Sequence, residues 1–133
     1  MLGLIIIAHG NLAQEMVSVL EHVVGPQTQL QAVGIGPDDD VEKRREDLIK
    51  AITEVNSGEG VVICTDMFGG TPSNLAISLL DQQPVDVLAG FNVPALVKLA
   101  SIRDKVSLKD ALAQAHEAGQ KYMNVASQLL KTN

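Results

Sequence analysis

The most constraining feature of this chain is its first apolar run. Leu2–Ala8 reads LGLIIIA, almost unbroken in apolar side chains, and leads straight into His9-Gly10. A strand with one wet face alternates polar and apolar residues, whereas a continuous run suits the centre of a parallel sheet covered on both faces. Parallel neighbours cannot be joined by hairpins, so helical crossovers must follow. The sequence supplies them. Leu12, Met16, Val19, Leu20 and Val23 repeat with helical spacing and stop at Gly25-Pro26. Leu30–Ile35 reads as a second strand, closed by the turn Gly36-Pro37-Asp38. A second helix carries Val41, Arg45, Leu48, Ile52 and Val55 on one face, with Asp38–Asp40 at its amino-terminal dipole.

Gly58 and Gly60 punctuate the entry to a third strand, Val61–Asp66. Thr71-Pro72 then pairs an N-cap residue with a proline at the first helical position, and the helix is expected to reach Asp81. Val85–Gly90 is a fourth strand and Pro94–Ala100 a short helix. A final helix sets Leu108, Leu112, Ala115, Gly119, Tyr122, Ala126 and Leu129 along one stripe. The order predicts an α/β fold, a doubly wound, mainly parallel sheet of four to five strands ordered 2-1-3-4, with helices on both faces. Residues 1–133 are expected to form a single domain.

Composition narrows the function classes. Apolar residues make up 46% of the chain, but Phe68, Phe91 and Tyr122 are its only aromatics, so the core must be Val, Ile, Leu and Ala. That scarcity argues against a base-stacking nucleic-acid platform, and a net charge of −6 argues against non-specific polyanion binding. With Cys64 as its single cysteine, the chain has no internal disulfide framework and no CxxC motif, and Cys64 reads as an inert small hydrophobe. The apolar runs are too short to span a bilayer, and no Lys or Arg precedes Lys43 to form the basic region of a targeting signal. A cytoplasmic protein without membrane insertion is expected.

In doubly wound sheets, ligands bind beyond the carboxyl ends of the strands, where the winding direction reverses. With order 2-1-3-4 that crevice lies between the ends Ala8-His9-Gly10 and Thr65-Asp66-Met67. The topology therefore brings His9 and Asp66 together. A neutral imidazole exposes one lone pair, suited to a nucleophile or a metal ligand, and a carboxylate on the other nitrogen fixes which one. The competing reading makes His9 a helix cap and Asp66 a turn residue. The segment Asp66-Met67-Phe68-Gly69-Gly70-Thr71-Pro72 suggests an anion site, with a close backbone approach at the glycines, free N–H groups at the helix start and a hydroxyl on Thr71. Gly10, Gly70 and Thr71 are the candidate phosphate-binding residues; a plain turn capped by Thr71 is the alternative. Met67 and Phe68 sit at the crevice mouth, either as partner anchors or packed beneath the turn. Walker and GxGxxG patterns are absent.

Three blocks, LGLIIIAHGNLA, VVICTDMFGGTPSNLA and VLAGFNVPAL, resemble the mannose-type enzyme IIA domain of the bacterial phosphoenolpyruvate-dependent sugar phosphotransferase system. They stand in family order and at family-like spacing over essentially the whole chain. The resemblance implies that His9 accepts a phosphoryl group from phosphorylated HPr and passes it to a separate IIB protein. It implies that Asp66 partners the histidine, that Thr71 helps hold the phosphate, and that Asn92 in the GxNxP block lines the same crevice. It also implies a homodimer and a site without metal or cofactor. Carboxyl-terminal strand exchange, a family feature, would have only Lys131-Thr132-Asn133 to draw on after Leu130. Some family members are free-standing regulatory modules, so control of a partner through the phosphorylation state of His9 is the alternative.

Small tetrapyrrole chelatases also resemble the strand-ending HG, but they need a second metal-binding histidine at a neighbouring strand end, where this chain has Asp66 and Asn92. Histidine phosphatases begin Arg-His-Gly, and position 8 here is Ala8. His22 and His116 read as ordinary helix residues, and Lys43-Arg44-Arg45 as a solvated helix face. Asp38-Asp39-Asp40 lacks the alternating spacing of a calcium loop and reads as a helix cap.

Overall fold

A computed structural model describes residues 1–131. Four strands, β1 (Gly3–His9), β2 (Leu30–Ile35), β3 (Val61–Thr65) and β4 (Val85–Ala89), form one sheet ordered β2-β1-β3-β4, and every neighbouring pair is parallel. Six helices accompany them: α1 (Leu12–Val24), α2 (Val41–Val55), α3 (Thr71–Ile77), α4 (Val93–Ile102), α5 (Leu108–Lys121) and α6 (Ala126–Leu129). The expected α/β class and strand order are therefore observed, with four strands among the described residues rather than five.

β1 explains the arrangement. Its residues from Gly3 to Ala8 are buried, and it pairs with β2 on one edge and β3 on the other. Alternate side chains feed two cores. Ile5 and Ile7 join Ile63, Val33 and the apolar faces of α2 and α3, including Leu48, Ile52 and Leu75, and Leu79 just beyond α3. Leu4, Ile6 and Ala8 join Val62, Cys64, Leu20 of α1, Leu96 and Leu99 of α4, and Ala115 of α5. A polar substitution anywhere between Leu4 and Ile7 would thus bury an unpaired group on one side or the other.

Of the aspartates before α2, Asp40 is the cap, while Asp39 holds the preceding turn. Asp40 accepts from the N–H groups of Glu42 (3.0 Å) and Lys43 (3.4 Å), and Asp39 accepts from that of Gly36 (2.8 Å). The buried face of α2 differs from expectation at its start: Val41 is 46% exposed, and the face begins only at Leu48. α3 ends at Ile77 rather than Asp81, because the chain tightens into three-residue turns, with Leu79, Leu80 and Gln82 donating to Ala76, Ile77 and Leu79. Its cap also shifts by one residue: Gly70 is the N-cap and Thr71 opens the helix. The long final helix divides. The buried stripe stops at Ala118, and Asn124 donates its side-chain amide to the Lys121 carbonyl that the helix end leaves free (3.1 Å). Tyr122 and Leu129 are consequently exposed. Thr132 and Asn133, which bear on the strand-exchange expectation and on the last positions of the domain, lie outside the described residues.

Arg103, which drew no attention in the sequence, is 2% exposed. Its guanidinium donates to the carbonyls of Leu2 (3.2 Å), Gln29 (2.9 Å) and Thr28, and to Oε1 of Gln27 (3.0 Å). It thereby fastens the α1–β2 connection beneath the amino end of β1, at the opposite end of the sheet from His9. Arg103→Met leaves several carbonyls without their donor and is expected to lower stability by about 3 kcal/mol, read as a shift in urea midpoint. An unchanged midpoint would contradict this role.

Candidate active site

β1 and β3 end side by side, and their last residues present the site. His9 closes β1, and Asp66 follows Thr65 at the end of β3. His9 Nδ1 lies 2.8 Å from Asp66 Oδ2, and the same oxygen accepts from the His9 backbone N–H at 3.1 Å. The second oxygen, Oδ1, accepts from the Met67 N–H at 3.1 Å and lies 3.4 Å from the Thr65 hydroxyl. The carboxylate is thus held from both sides, with its side chain 14% exposed against 48% for His9.

Burial works to raise the pKa of Asp66, but the hydrogen bonds from His9 and the nearby imidazole charge outweigh it and hold the carboxyl below its usual range. An ionised carboxylate can only accept, so Nδ1 carries a proton, and in the neutral form of the ring Nε2 presents its lone pair. What results is an oriented, accessible nucleophile.

Gly10 follows in the left-handed region, at φ 60°, which favours glycine. That turn lets the Gly10 N–H reach the Ile35 carbonyl at 2.8 Å before α1 begins. Gly70 matters for space rather than conformation. A Cβ there would stand 2.6 Å from His9 Cε1 and 2.9 Å from Nε2. The Gly69-Gly70 turn is therefore the wall beside the free nitrogen, and the start of α3, with its unpaired N–H groups, stands next to it.

The structure distributes the remaining candidates differently. Thr71 lies in the first turn of α3, and its hydroxyl makes no hydrogen bond among the described residues; the hydroxyl bonded in this turn is that of Ser73. Met67 and Phe68 are 54% and 71% exposed, so they are not packed beneath the turn. Asn92 caps α4, accepting from the Ala95 N–H (3.0 Å) and donating to the Gly119 carbonyl (2.9 Å). It lines a cleft of about 340 Å³ with Gly90, Phe91, His116 and Gln120, and neither His9 nor Asp66 belongs to that cleft. Cys64 is fully buried and its thiol is pushed up to about 12, consistent with an inert residue. His22 and His116 are exposed on α1 and α5.

Residues 3–116 match the EIIA-man family model, described as "PTS system fructose IIA component". The chain belongs to this family. It is an EIIA component of the sugar phosphotransferase system, a phosphotransfer protein. It is 29% identical over 132 residues to the "PTS system fructose-specific EIIA component" of Bacillus subtilis, covering 98% of this chain and 90% of that protein. It is 28% identical to the "PTS system mannose-specific EIIAB component" of Escherichia coli, over 89% of this EIIA chain but 37% of that longer protein. The crystal structure of a PTS IIA protein associated with the fucose utilization operon of Streptococcus pneumoniae superposes with a TM-score of 0.82 at 32% identity, covering 96% of this EIIA and 95% of that chain. Among the described residues of the EIIA, no helix is long and apolar enough to cross a membrane.

Two outcomes test the site geometry. Gly70→Ala is expected to fold but to push the imidazole aside, so a crystal structure of the variant would lack the 2.8 Å contact to Asp66. Because the Asp66 carboxyl is held below its ordinary 3.8, the unfolded chain takes up that proton first as the solution is acidified. The stabilisation is present above 3.8 and is lost as pH falls through the lower, folded value. Across this interval wild-type stability should fall more steeply with acid than that of Asp66→Asn; parallel curves would contradict the assignment.

Proposed function

We propose that this EIIA accepts a phosphoryl group on Nε2 of His9 from phosphorylated HPr and delivers it to a separate IIB protein. The observation that carries the reading is the His9–Asp66 pair: an imidazole oriented through Nδ1 at 2.8 Å while its ring stays 48% exposed. A nucleophile that must meet phosphorus on another protein needs such an open position, whereas a small substrate would be enclosed.

In this reading the Nε2 lone pair attacks phosphorus in line, and the bond from phosphorus to the donor breaks with its electron pair leaving on the donor. The imidazole becomes positively charged while Nδ1 keeps its proton, and Asp66 stabilises that charge. Delivery to the acceptor reverses the step. A carboxylate also repels the incoming phosphoryl oxygens. The N–H groups at the start of α3, beside Gly70 and Thr71, and the positive end of its dipole offset that repulsion. Gly10 and Gly70 leave the backbone close enough to serve. Met67 and Phe68, exposed beside Asp66, supply apolar contact for the partner protein. No metal or cofactor is required by this chemistry, since a histidine nitrogen both attacks and leaves phosphorus.

Incubation with phosphoenolpyruvate, enzyme I and HPr tests the reading. His9→Ala should abolish incorporation of an acid-labile, base-stable phosphate, and Asp66→Ala should slow it by about 10²-fold. Undiminished labelling of His9→Ala would refute it. Onward transfer to a purified IIB protein distinguishes the transport role from a regulatory module, which would bind its target according to phosphorylation state without passing the group on.

A further inference from the structure

Nothing in the sequence pattern singles out Ser73, yet its side chain is fully buried one turn from the reactive ring. Its hydroxyl accepts from the Gly69 N–H at 3.0 Å and donates to the Gly70 carbonyl at 3.0 Å, so both hydrogen-bonding capacities act on the same two residues. Those residues form the wall against which His9 rests, with the position of a Gly70 Cβ only 2.9 Å from Nε2. Consecutive glycines have the widest backbone freedom of any dipeptide, and Gly69 stands at φ 88°. Such a turn is not held by its own conformational preference. It needs a fastening from outside, and helix α3 provides part of one through the Asn74 N–H, which also donates to the Gly70 carbonyl at 3.0 Å. Ser73 adds the contact that reaches Gly69.

We infer that Ser73 is a positioning residue for phosphoryl transfer, fixing the Gly69-Gly70 turn so that Nε2 of His9 keeps its line of approach. The inference rests on the phosphotransfer reading above. Asp66 sets the ring from the Nδ1 side; Ser73 sets the wall on the Nε2 side. Removing the hydroxyl frees the Gly69 N–H and one bond of the Gly70 carbonyl without altering the nucleophile, its carboxylate partner or the exposed Phe68. The turn then samples positions that crowd Nε2 or retreat from it, and a displacement of this kind costs rate at the chemical step rather than partner affinity.

Ser73→Ala tests this in the full chain. With phosphorylated HPr as donor, the rate constant at saturating donor is expected to fall about tenfold while the donor KM stays within about twofold. In the unphosphorylated protein, the Gly69 and Gly70 amide resonances and the His9 ring resonances should shift and broaden, with most other amides unchanged. A wild-type rate constant, a loss confined to KM, or unperturbed Gly70 and His9 resonances would overturn the inference. If Ser73→Ala does not fold, Ser73→Cys, with a slightly larger side chain and far weaker hydrogen bonding, is subject to the same readings. The resonances are recorded without phosphate. Failure of wild-type His9 to be labelled would therefore count against the phosphotransfer reading, and a silent NMR comparison against Ser73.

Discussion

The burial of β1 on both faces, together with its pairing on both edges, is the constraint from which the rest follows. Because β2 lies on one side and β3 on the other, the chain must cross over β1 between them, and the winding reverses at its carboxyl end. Side chains from β1 then anchor two separate helical layers. The last residue of the strand still pairs with Ile35 of β2 but lies beyond the last β1–β3 pair, Ile7 with Thr65, at the crevice that this reversal opens. His9 is exposed because the strand ends there, and rigid because six buried residues precede it. Arg103 secures the other end of the same strand by holding the carbonyl of Leu2 and those of the following connection.

The second element of the design is a carboxylate with all its neighbours assigned. Asp66 takes the His9 ring and backbone on one oxygen and the Met67 N–H on the other, with the Thr65 hydroxyl alongside. It therefore links the end of β1 to the end of β3 across 57 residues of sequence. A rigid carboxylate beneath an open imidazole suits a reaction in which the second reactant arrives on another protein. The EIIA contributes a prearranged nitrogen.

How much of this was legible in the sequence follows from what each signal encodes. The unbroken run LGLIIIA marks a central strand because it needs cover on both faces and is too short for a buried helix, and the strand order then places His9 against Asp66. Helix ends were less legible. The stripe from Leu108 to Leu129 has one period throughout, but periodicity does not say whether anything packs against its last turns, and the described residues beyond Gly119 are exposed. Thr71-Pro72 carries a cap signature, yet the chain uses Gly70 as the cap and the hydroxyl of Ser73 two positions on, a choice made by burial rather than propensity. Asn92 looked like a crevice residue, but its side chain is used to cap α4 and hold Gly119. Arg103 gave no signal, since a lone arginine after a helix normally reaches solvent. Ser73 gave no signal either, since a serine in the first turn of a helix is ordinary, and its burial and its bonds to Gly69 and Gly70 appear only in the fold.

The central claim is that Asp66 fixes His9 as the Nδ1-protonated tautomer and leaves Nε2 free to take the phosphoryl group. Nitrogen-15 NMR of the His9 ring at neutral to mildly alkaline pH measures this directly, before and after phosphorylation. The account predicts a proton on Nδ1 in the free protein and a phosphorus coupling at Nε2 in the phosphorylated one. A free protein dominated by the Nε2-protonated tautomer, or a phosphate on Nδ1, would contradict it.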